Sequence, residues 1–404
     1  MKKLDLIIFK IFLFSFFLPG CSEATSIING PLDPEIENPV IQQNITFKLI
    51  DQESKKVIPD AMCILGADIN NRWIYIEDMN SDKNGISATP ASLIRWKIKR
   101  NLSPAVEVND KSTGVLTVIH PEYKPVQIKI DNLLEGTAKE FIIQLKSREA
   151  GECAVLCYNT WESFKEVADI EIVYEWIRKL NPDIIFFQEL NGNSEESLNK
   201  FARNYGHNYS ALLKDWGYPT GITSRFPLEN TERRTGGNSG MYHGYIYTQC
   251  NGFHLLAPHL NPFSNGTKPT RLQEAQRLVQ DMKELPENAR IILAGDLNAK
   301  NKFDMDAFSD YASLNESNET AFDFDPIQTL ETMLTDTYPI HNRLFKASYN
   351  VRKDITINPK SSFRIDYIMV DKASRNKCIF SDILQTKFTN KISDHYPNFI
   401  YLIK

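Results

Sequence analysis

The sequence contains no uninterrupted apolar run long enough to cross a bilayer, which takes ~20 residues, and neither sign of charge dominates it. Across 404 residues, 46 Lys and Arg face 51 Asp and Glu, a net of −5. Residues 151–404 carry 28 basic against 32 acidic side chains, a net of −4. This balance excludes the global basic footprint that grips polynucleotides. Cysteine is scarce as well, at six residues, and none has metal-site spacing. With Cys21 set aside, Cys63, Cys153, Cys157, Cys250 and Cys378 are odd in number, so at least one is unpaired within the chain. Cys153 and Cys157, four apart in an expected strand, would lie about 13 Å from each other and cannot bond. These thiols read as small buried apolar groups. What is abundant is ordinary for a folded protein: 42% hydrophobic and 24% charged residues, with a length that suggests two or three domains.

The first twenty residues stand apart. Lys2, Lys3 and Lys10 flank or interrupt a greasy stretch ending IFLFSFFLPG, which reads as an export signal and not as a membrane helix. Leu18-Pro19-Gly20-Cys21 resembles the lipobox of bacterial lipoproteins, with Pro19 where a small residue is usual. The resemblance implies a signal peptide over residues 1–21 and a lipidated Cys21; the alternative is an ordinary cleaved signal. Residues 22–43, polar and with three prolines, read as a flexible tether. The expected location is the bacterial cell envelope, lipid-anchored in the outer membrane or at the cell surface.

Residues 44–146 alternate short apolar runs (NITFKLID, AMCILGAD, RWIYIED, GVLTVIHP, VQIKID, EFIIQLK) with polar breaks, so the expected unit is a small all-β sandwich of transthyretin or immunoglobulin type. LIDQESKKVIPDAMCIL, SDKNG and HPEYKPVQIKI resemble the carboxypeptidase regulatory-like modules of exported bacterial proteins. Nothing in this module looks catalytic; His120 beside Pro121 reads as a turn or surface residue, and the role expected is spacing, docking or binding.

From residue 150 to 404 strands alternate with helices. AVLCYN (154–159), DIIFFQ (183–188), residues 291–294, RIDYIMV (364–370) and NFIYLI (398–403) read as strands. EIVYEWIRKL (171–180) places Ile172, Val173, Trp176, Ile177 and Leu180 on one helical face, and RLQEAQRLVQDMKEL (271–285) repeats that period. A layered α/β domain follows. The reactive side chains fall where strands stop: Asn159, Glu189, Asp296 with Asn298, and Asp394 with His395. Acids and amides clustered at strand ends present oxygen ligands, which suit magnesium, with manganese as the alternative, better than zinc.

These residues lie in motifs. YNTW (158–161), PDIIFFQEL (182–190), GITSRFPL (221–228), PHL (258–260), GDLNA (295–299), RIDYIMV and SDHYP (393–397) together resemble the endonuclease/exonuclease/phosphatase, or DNase-like, superfamily over about 250 residues. The resemblance implies a four-layer α/β/β/α sandwich and a magnesium-dependent phosphoester hydrolase. It implies Glu189 as principal metal ligand with Asn159 and Asp394 beside it. Asp296 and Asn298 would orient the nucleophile and hold a phosphate oxygen or a second metal. His395, oriented by Asp366, would be the general base, and His259 would polarise the scissile phosphate or protonate the leaving oxygen. Its acidic partner is not evident from sequence. His243 and His254 belong to no motif and are assigned to structure or surface.

The substrate is less determined. Residues 303–327 hold seven acids and no Lys or Arg, which would repel a long polyanion if they lie near the site. Arg233-Arg234 and the stretch from Lys268 to Arg271 could instead meet phosphate. We therefore expect a monomeric enzyme acting on a small phosphoester or lipid head group; a nuclease acting on DNA or RNA and a non-catalytic surface binding lipoprotein are the alternatives.

Overall fold

Short runs of apolar side chains, alternating in some and continuous in others, build the first seven strands. The computed structural model describes residues 44–69, 72–90, 94, 113–133, 139–236, 240–263, 270–305, 323–349 and 363–403. The expected signal peptide, Cys21 and the tether lie outside the described residues, as do Lys268 and most of the acidic insertion. Strands β1 (Asn44–Asp51), β2 (Met62–Ile69), β3 (Arg72–Asn80), β4 (Ile86–Pro90), β5 (Thr113–Ile119), β6 (Val126–Ile130) and β7 (Lys139–Leu145) form two sheets, ordered β4-β1-β7 and β3-β2-β5-β6. In β1 every second residue points inward, so Ile45, Phe47 and Leu49 meet Cys63, Leu65, Leu116 and Val118 of the facing sheet in a common core.

The remaining strands are β8 (Cys153–Asn159), β9 (Ile184–Gln188), β10 (Tyr209–Leu212), β11 (Gly221–Ser224), β12 (Glu229–Thr235), β13 (Gly244–Cys250), β14 (Phe253–Pro258), β15 (Ile291–Asp296), β16 (Leu334–Asp336), β17 (Asp366–Asp371), β18 (Cys378–Ile383) and β19 (Asn398–Leu402). They form two six-stranded sheets, β10-β11-β9-β8-β19-β18 and β12-β13-β14-β15-β17-β16, which share a core of Val155, Phe186, Ile246, Leu255, Ile292 and Ile368. Helices α1 (Glu171–Leu180) and α2 (Glu195–Arg203) cover the outer face of the first; α3 (Arg271–Lys283) and α4 (Asp325–Leu330) cover the second. The result is the expected α/β/β/α sandwich preceded by a β module. Helix α3 starts with a reciprocal capping box between Thr270 and Gln273, worth ~1 kcal/mol. One expected core position moves: Ile172 of α1 is 42% exposed, because the burial stripe starts at Val173. The five described cysteines are all free and buried, and among the described residues no helix is long and apolar enough to cross a membrane.

The described residues pack as one unit. The reason lies in β2, β3 and β5, which are apolar on both faces. Their second face, with Ile64, Trp73, Tyr75 and Val115, joins Leu344, Phe380, Phe399 and Tyr401 in a core that continues to α1 and α2.

One buried histidine outside the site sets an acid limit on stability. His207 is fully buried, with Nδ1 2.9 Å from Thr223 Oγ1 and Nε2 2.9 Å from the Pro182 carbonyl. The carbonyl requires a proton on Nε2, so Nδ1 accepts from the hydroxyl and the ring is neutral. Burial pushes its pKa down to about 4. A histidine so depressed contributes stability that is complete above its unfolded pKa of ~6.5 and is lost as pH falls through 4. The thermal midpoint should fall over that window, by up to about 3 kcal/mol of stability, and His207→Gln, less stable at neutral pH, should lack that part of the slope.

Candidate active site

Strand pairing brings the motif residues to one end of the two sheets. β8 and β9 run parallel with Asn159 opposite Gln188, β14 runs parallel to β15, and Asp296 pairs with Asp366 across β15 and β17. The chain ends of these strands therefore deliver Asn159, Glu189, His259, Asp296 and Asp366, while Asp394 and His395 enter β19. Gly295 of GDLNA makes the approach possible: a Cβ there would stand 1.9 Å from the Pro258 carbonyl oxygen. Beyond it, Asn298 takes φ +47, its N–H donating to Asp296 Oδ1 (2.9 Å) and its Nδ2 to the Leu260 carbonyl (3.1 Å).

The other wall is strained. Glu189 sits at φ +59, and Trp161, Glu162, Ser163 and Phe164 follow one another at φ +47, +56, +63 and +59. Four consecutive left-handed residues cost ~1–2 kcal/mol each. They are held by the Ser163 N–H donating to the Glu189 carbonyl (2.8 Å), the Phe164 N–H to the Thr160 carbonyl (2.8 Å), and Ser163 Oγ to the Asn191 carbonyl (2.8 Å).

His395 is the centre of the charge network. Its Nδ1 is 2.8 Å from Asp366 Oδ2, which also accepts from Ser348 Oγ at 2.7 Å. Nε2 faces Asp296 Oδ2 at 3.8 Å and Asp394 Oδ1 at 4.0 Å. Burial opposes a charged ring here, but Asp366, Asp296 and Asp394 outweigh it and raise its pKa to about 10. Burial and the Asp366 charge raise Asp296 to about 8. Asn159 Nδ2 lies between two acids, 3.0 Å from Asp296 Oδ2 and 3.2 Å from Glu189 Oε1, and its Oδ1 accepts the Trp161 N–H at 3.0 Å. Glu189 is raised by burial, partly offset by His395 and Asn159 and reinforced by Asp394.

His259 behaves differently. Its ring stacks on His243 (4.4 Å, 15°), and its Nε2 is 3.7 Å from Asp296 Oδ2. Nδ1 has no hydrogen-bond partner among the described residues. Burial, with the charges of His243, His395 and Lys214 behind it, holds its pKa well below the ordinary histidine value, so the ring is neutral. Glu274 of α3 fixes the two loops that carry this stack, accepting the N–H groups of Tyr242 (2.6 Å) and Asn261 (2.7 Å).

Glu189, His243, His259, Asp296, Asn298, Asp394 and His395 open into a cleft of about 360 Å³, with Asn159, Asp366, Ser348 and Glu274 buried behind them. Its floor holds Glu189, His259, Asp296, Asn298, Asp394 and His395, and its rim holds Trp161, Tyr218, Tyr242, Phe263 and Tyr349; none of its described lining residues is Lys or Arg. Asp296, Asp366 and His395 bring ligand atoms within 4.8 Å of one another, yet His395 Nδ1 is already committed to Asp366. The cluster of buried Asp296 and Asp366 with half-buried Glu189 and Asp394, whose charges repel each other, is a donor set that suits a hard divalent cation.

The expected site residues thus converge, but three other expectations change. His243, assigned to structure or surface, lines the cleft. Arg233 pairs with Glu195 (2.9 Å), and Arg234 with Glu232 (2.8 Å) and Asp281 (3.0 Å), so neither is directed to the site. Arg271 is buried against Asp323 and the Asn261 carbonyl. Ser348, Tyr349 and Glu274 escaped sequence reasoning altogether. His243 had a signal: the Asn251-Gly252 turn fixes the β13–β14 register, with Tyr245 opposite Pro258, which carries His243 alongside His259.

Residues 156–395 match the model of the Endonuclease/Exonuclease/phosphatase family. No curated protein matches the sequence. Among solved structures, the chain is similar to an AP endonuclease from Archaeoglobus fulgidus, at a TM-score of 0.50 and 17% identity, covering 62% of this chain and 100% of that one. It is also similar to the 3′ phosphatase NExo from Neisseria bound to a product DNA hairpin (TM-score 0.49, 17% identity, 62% and 100% coverage). At this identity the first likeness speaks to the fold.

Proposed function

The chain belongs to the endonuclease/exonuclease/phosphatase family of phosphoester hydrolases, and from that premise we propose that it is an exported, lipid-anchored, magnesium-dependent phosphoesterase acting on a small phosphoester or lipid head group. The observation that carries the substrate class is the cleft itself, acidic and aromatic, with no Lys or Arg among its described lining residues. A polyanion gains most of its affinity from cations that replace its counterions; a single phosphate held at the cleft floor does not need them.

Glu189 and Asp394, with Asn159 beside them, would hold the metal, which when bound supplies positive charge to the phosphoryl oxygens. His395 takes a proton from the attacking water on Nε2, because Asp366 keeps the Nδ1 proton in place and stabilises the imidazolium that forms. Asp296, facing Nε2, orients that water. Asn298, with one amide hydrogen given to Leu260, offers the other to a phosphoryl oxygen. His259 acts as a neutral N–H donor to the phosphoryl group, since a ring held so far below the ordinary pKa carries no spare proton to give.

Protein lacking residues 1–21 should turn over simple phosphate esters, phosphoinositides or sphingomyelin in magnesium and lose that activity in excess chelator. Full turnover with chelator would overturn the metal assignment, and faster cleavage of DNA or RNA than of small esters would replace this reading with a nuclease. The anchor rests on LPGC at 18–21: Cys21→Ser in the full chain should leave the membrane fraction, and unchanged association would refute it.

A further inference from the structure

The segment from Leu344 to Tyr349 has no regular secondary structure of its own, yet Leu344 to Ser348 are buried. Such a segment needs partners for its backbone, and here they come from two directions. On one side is the N-terminal β module. The Trp73 N–H of β3 donates to the Phe345 carbonyl at 3.2 Å, and the Trp73 indole lies 3.9 Å from Lys346 Nζ. Lys346 pairs at 2.6 Å with Asp382 of β18, both side chains at most 2% exposed. The second oxygen of Asp382 accepts from Thr117 Oγ1 of β5 at 2.9 Å and lies 3.4 Å from Gln127 Nε2 of β6. The module therefore completes the solvation of a buried ion pair that it does not itself contain.

On the other side is the catalytic dyad. Two residues past Lys346, Ser348 Oγ donates to Asp366 Oδ2 and accepts the N–H groups of Ile365 (2.9 Å) and Asp366 (3.0 Å). Its carbonyl accepts the Tyr396 N–H at 2.6 Å, next to His395. The Tyr349 ring packs 4.8 Å from the His395 ring.

We infer that the β module is a working part of the hydrolase: through Trp73 and the Lys346–Asp382 pair it fixes segment 344–349, which as a unit positions the Asp366–His395 dyad. Trp73, Lys346 and Ser348 are positioning residues; none of them touches the cleft floor. The module's role then goes beyond spacing. The inference rests on the reading of His395 as base.

The test uses the full-length protein and its best phosphate ester. Lys346→Met with Asp382→Asn removes both charges together while keeping the pair's volume, and Trp73→Leu removes the aromatic face while Trp73→Phe restores it. A dyad displaced by ~1 Å can cost up to ~10²-fold in rate, so the double variant and Trp73→Leu should lower kcat at least tenfold, with KM and metal affinity measured by titration calorimetry within twofold. Trp73→Phe should recover kcat. Glu77→Gln, which weakens the rim ion pair to Lys387 in the same interface, should stay within twofold. Parental kcat in whichever of the double variant and Trp73→Leu folds would overturn the inference, and so would an equal loss in Glu77→Gln. His395→Ala separates the two claims: if it is inactive while the positioning variants turn over normally, only the positioning role fails, whereas an active His395→Ala removes the base assignment beneath it.

Discussion

Replacing His395 by alanine lowers kcat/KM by ~10²–10⁴, the range of acid–base catalysis, and removes the acidic limb of the pH profile. Asp366→Asn should follow it closely, because the 2.8 Å contact to Nδ1 is what fixes the ring's tautomer and supports its charge. The sign of the pH effect follows from the local charges. With no cation bound, the surrounding acids hold His395 up to about 10, where the ring is protonated at neutral pH and cannot accept a proton. A cation at Glu189 and Asp394 opposes the imidazolium, so the acidic limb should move to lower pH as magnesium is raised to saturation. His254→Ala is the proper control. That ring bonds the Tyr247 hydroxyl at 2.8 Å at the far end of β14 and should leave kcat/KM within a few-fold. His243, stacked on His259, cannot serve.

The second large effect is at Glu189, and it has two opposite parts. Glu189→Gln should cost about 10³-fold in magnesium-dependent rate, since a carboxylate-held cation supplies several kcal/mol of transition-state stabilisation. The same change should raise the thermal midpoint of the metal-free protein. Burial raises the folded-state pKa of Glu189 above its usual 4.5, so above that pH folding must either desolvate the charge or take up a proton, and stability falls as pH rises. Glutamine removes this penalty, so its gain should be largest at neutral pH and vanish below about 4.5. A variant that is both less active and less stable at pH 7.5 without metal would mean that Glu189 is a structural acid. Stability forgone at a site and recovered by its removal is a common mark of function.

How far the sequence leads depends on how local each cause is. GDLNA was legible because Gly295, Asp296 and Asn298 are neighbours and the Asp296–Asn298 turn is local, whereas the steric demand for glycine comes from the Pro258 carbonyl, distant in the sequence. The α/β alternation was legible because α1 and α3 carry clean apolar stripes. The Asp366–His395 pair spans 29 positions and came from family resemblance, not from spacing. The role of His243 was not legible although hairpin register could have placed it, because a lone histidine between Tyr242 and Gly244 shows no period. Ser348 and Lys346 had no such signal. They act from a segment with neither helical nor strand pattern, and their partners in β3, β17 and β18 are adjacent only after the sheets assemble. The apolar second face of β2 and β3 did hint that the module is covered on both sides, but not by what.

The left-handed turn at Trp161–Phe164 bears on the order in which the molecule comes together. A local run of four such residues is unfavourable in isolation, and its hydrogen-bond acceptors at Glu189 and Asn191 lie about thirty positions away in the sequence. They are delivered only when β8 and β9 have paired. The turn is therefore expected to form late in folding, and substitutions within it should speed unfolding and leave the folding rate nearly unchanged, which stopped-flow folding and unfolding rates of such variants would check. Refolding protein should bury Trp73 and Trp176, both in the core, before it regains turnover.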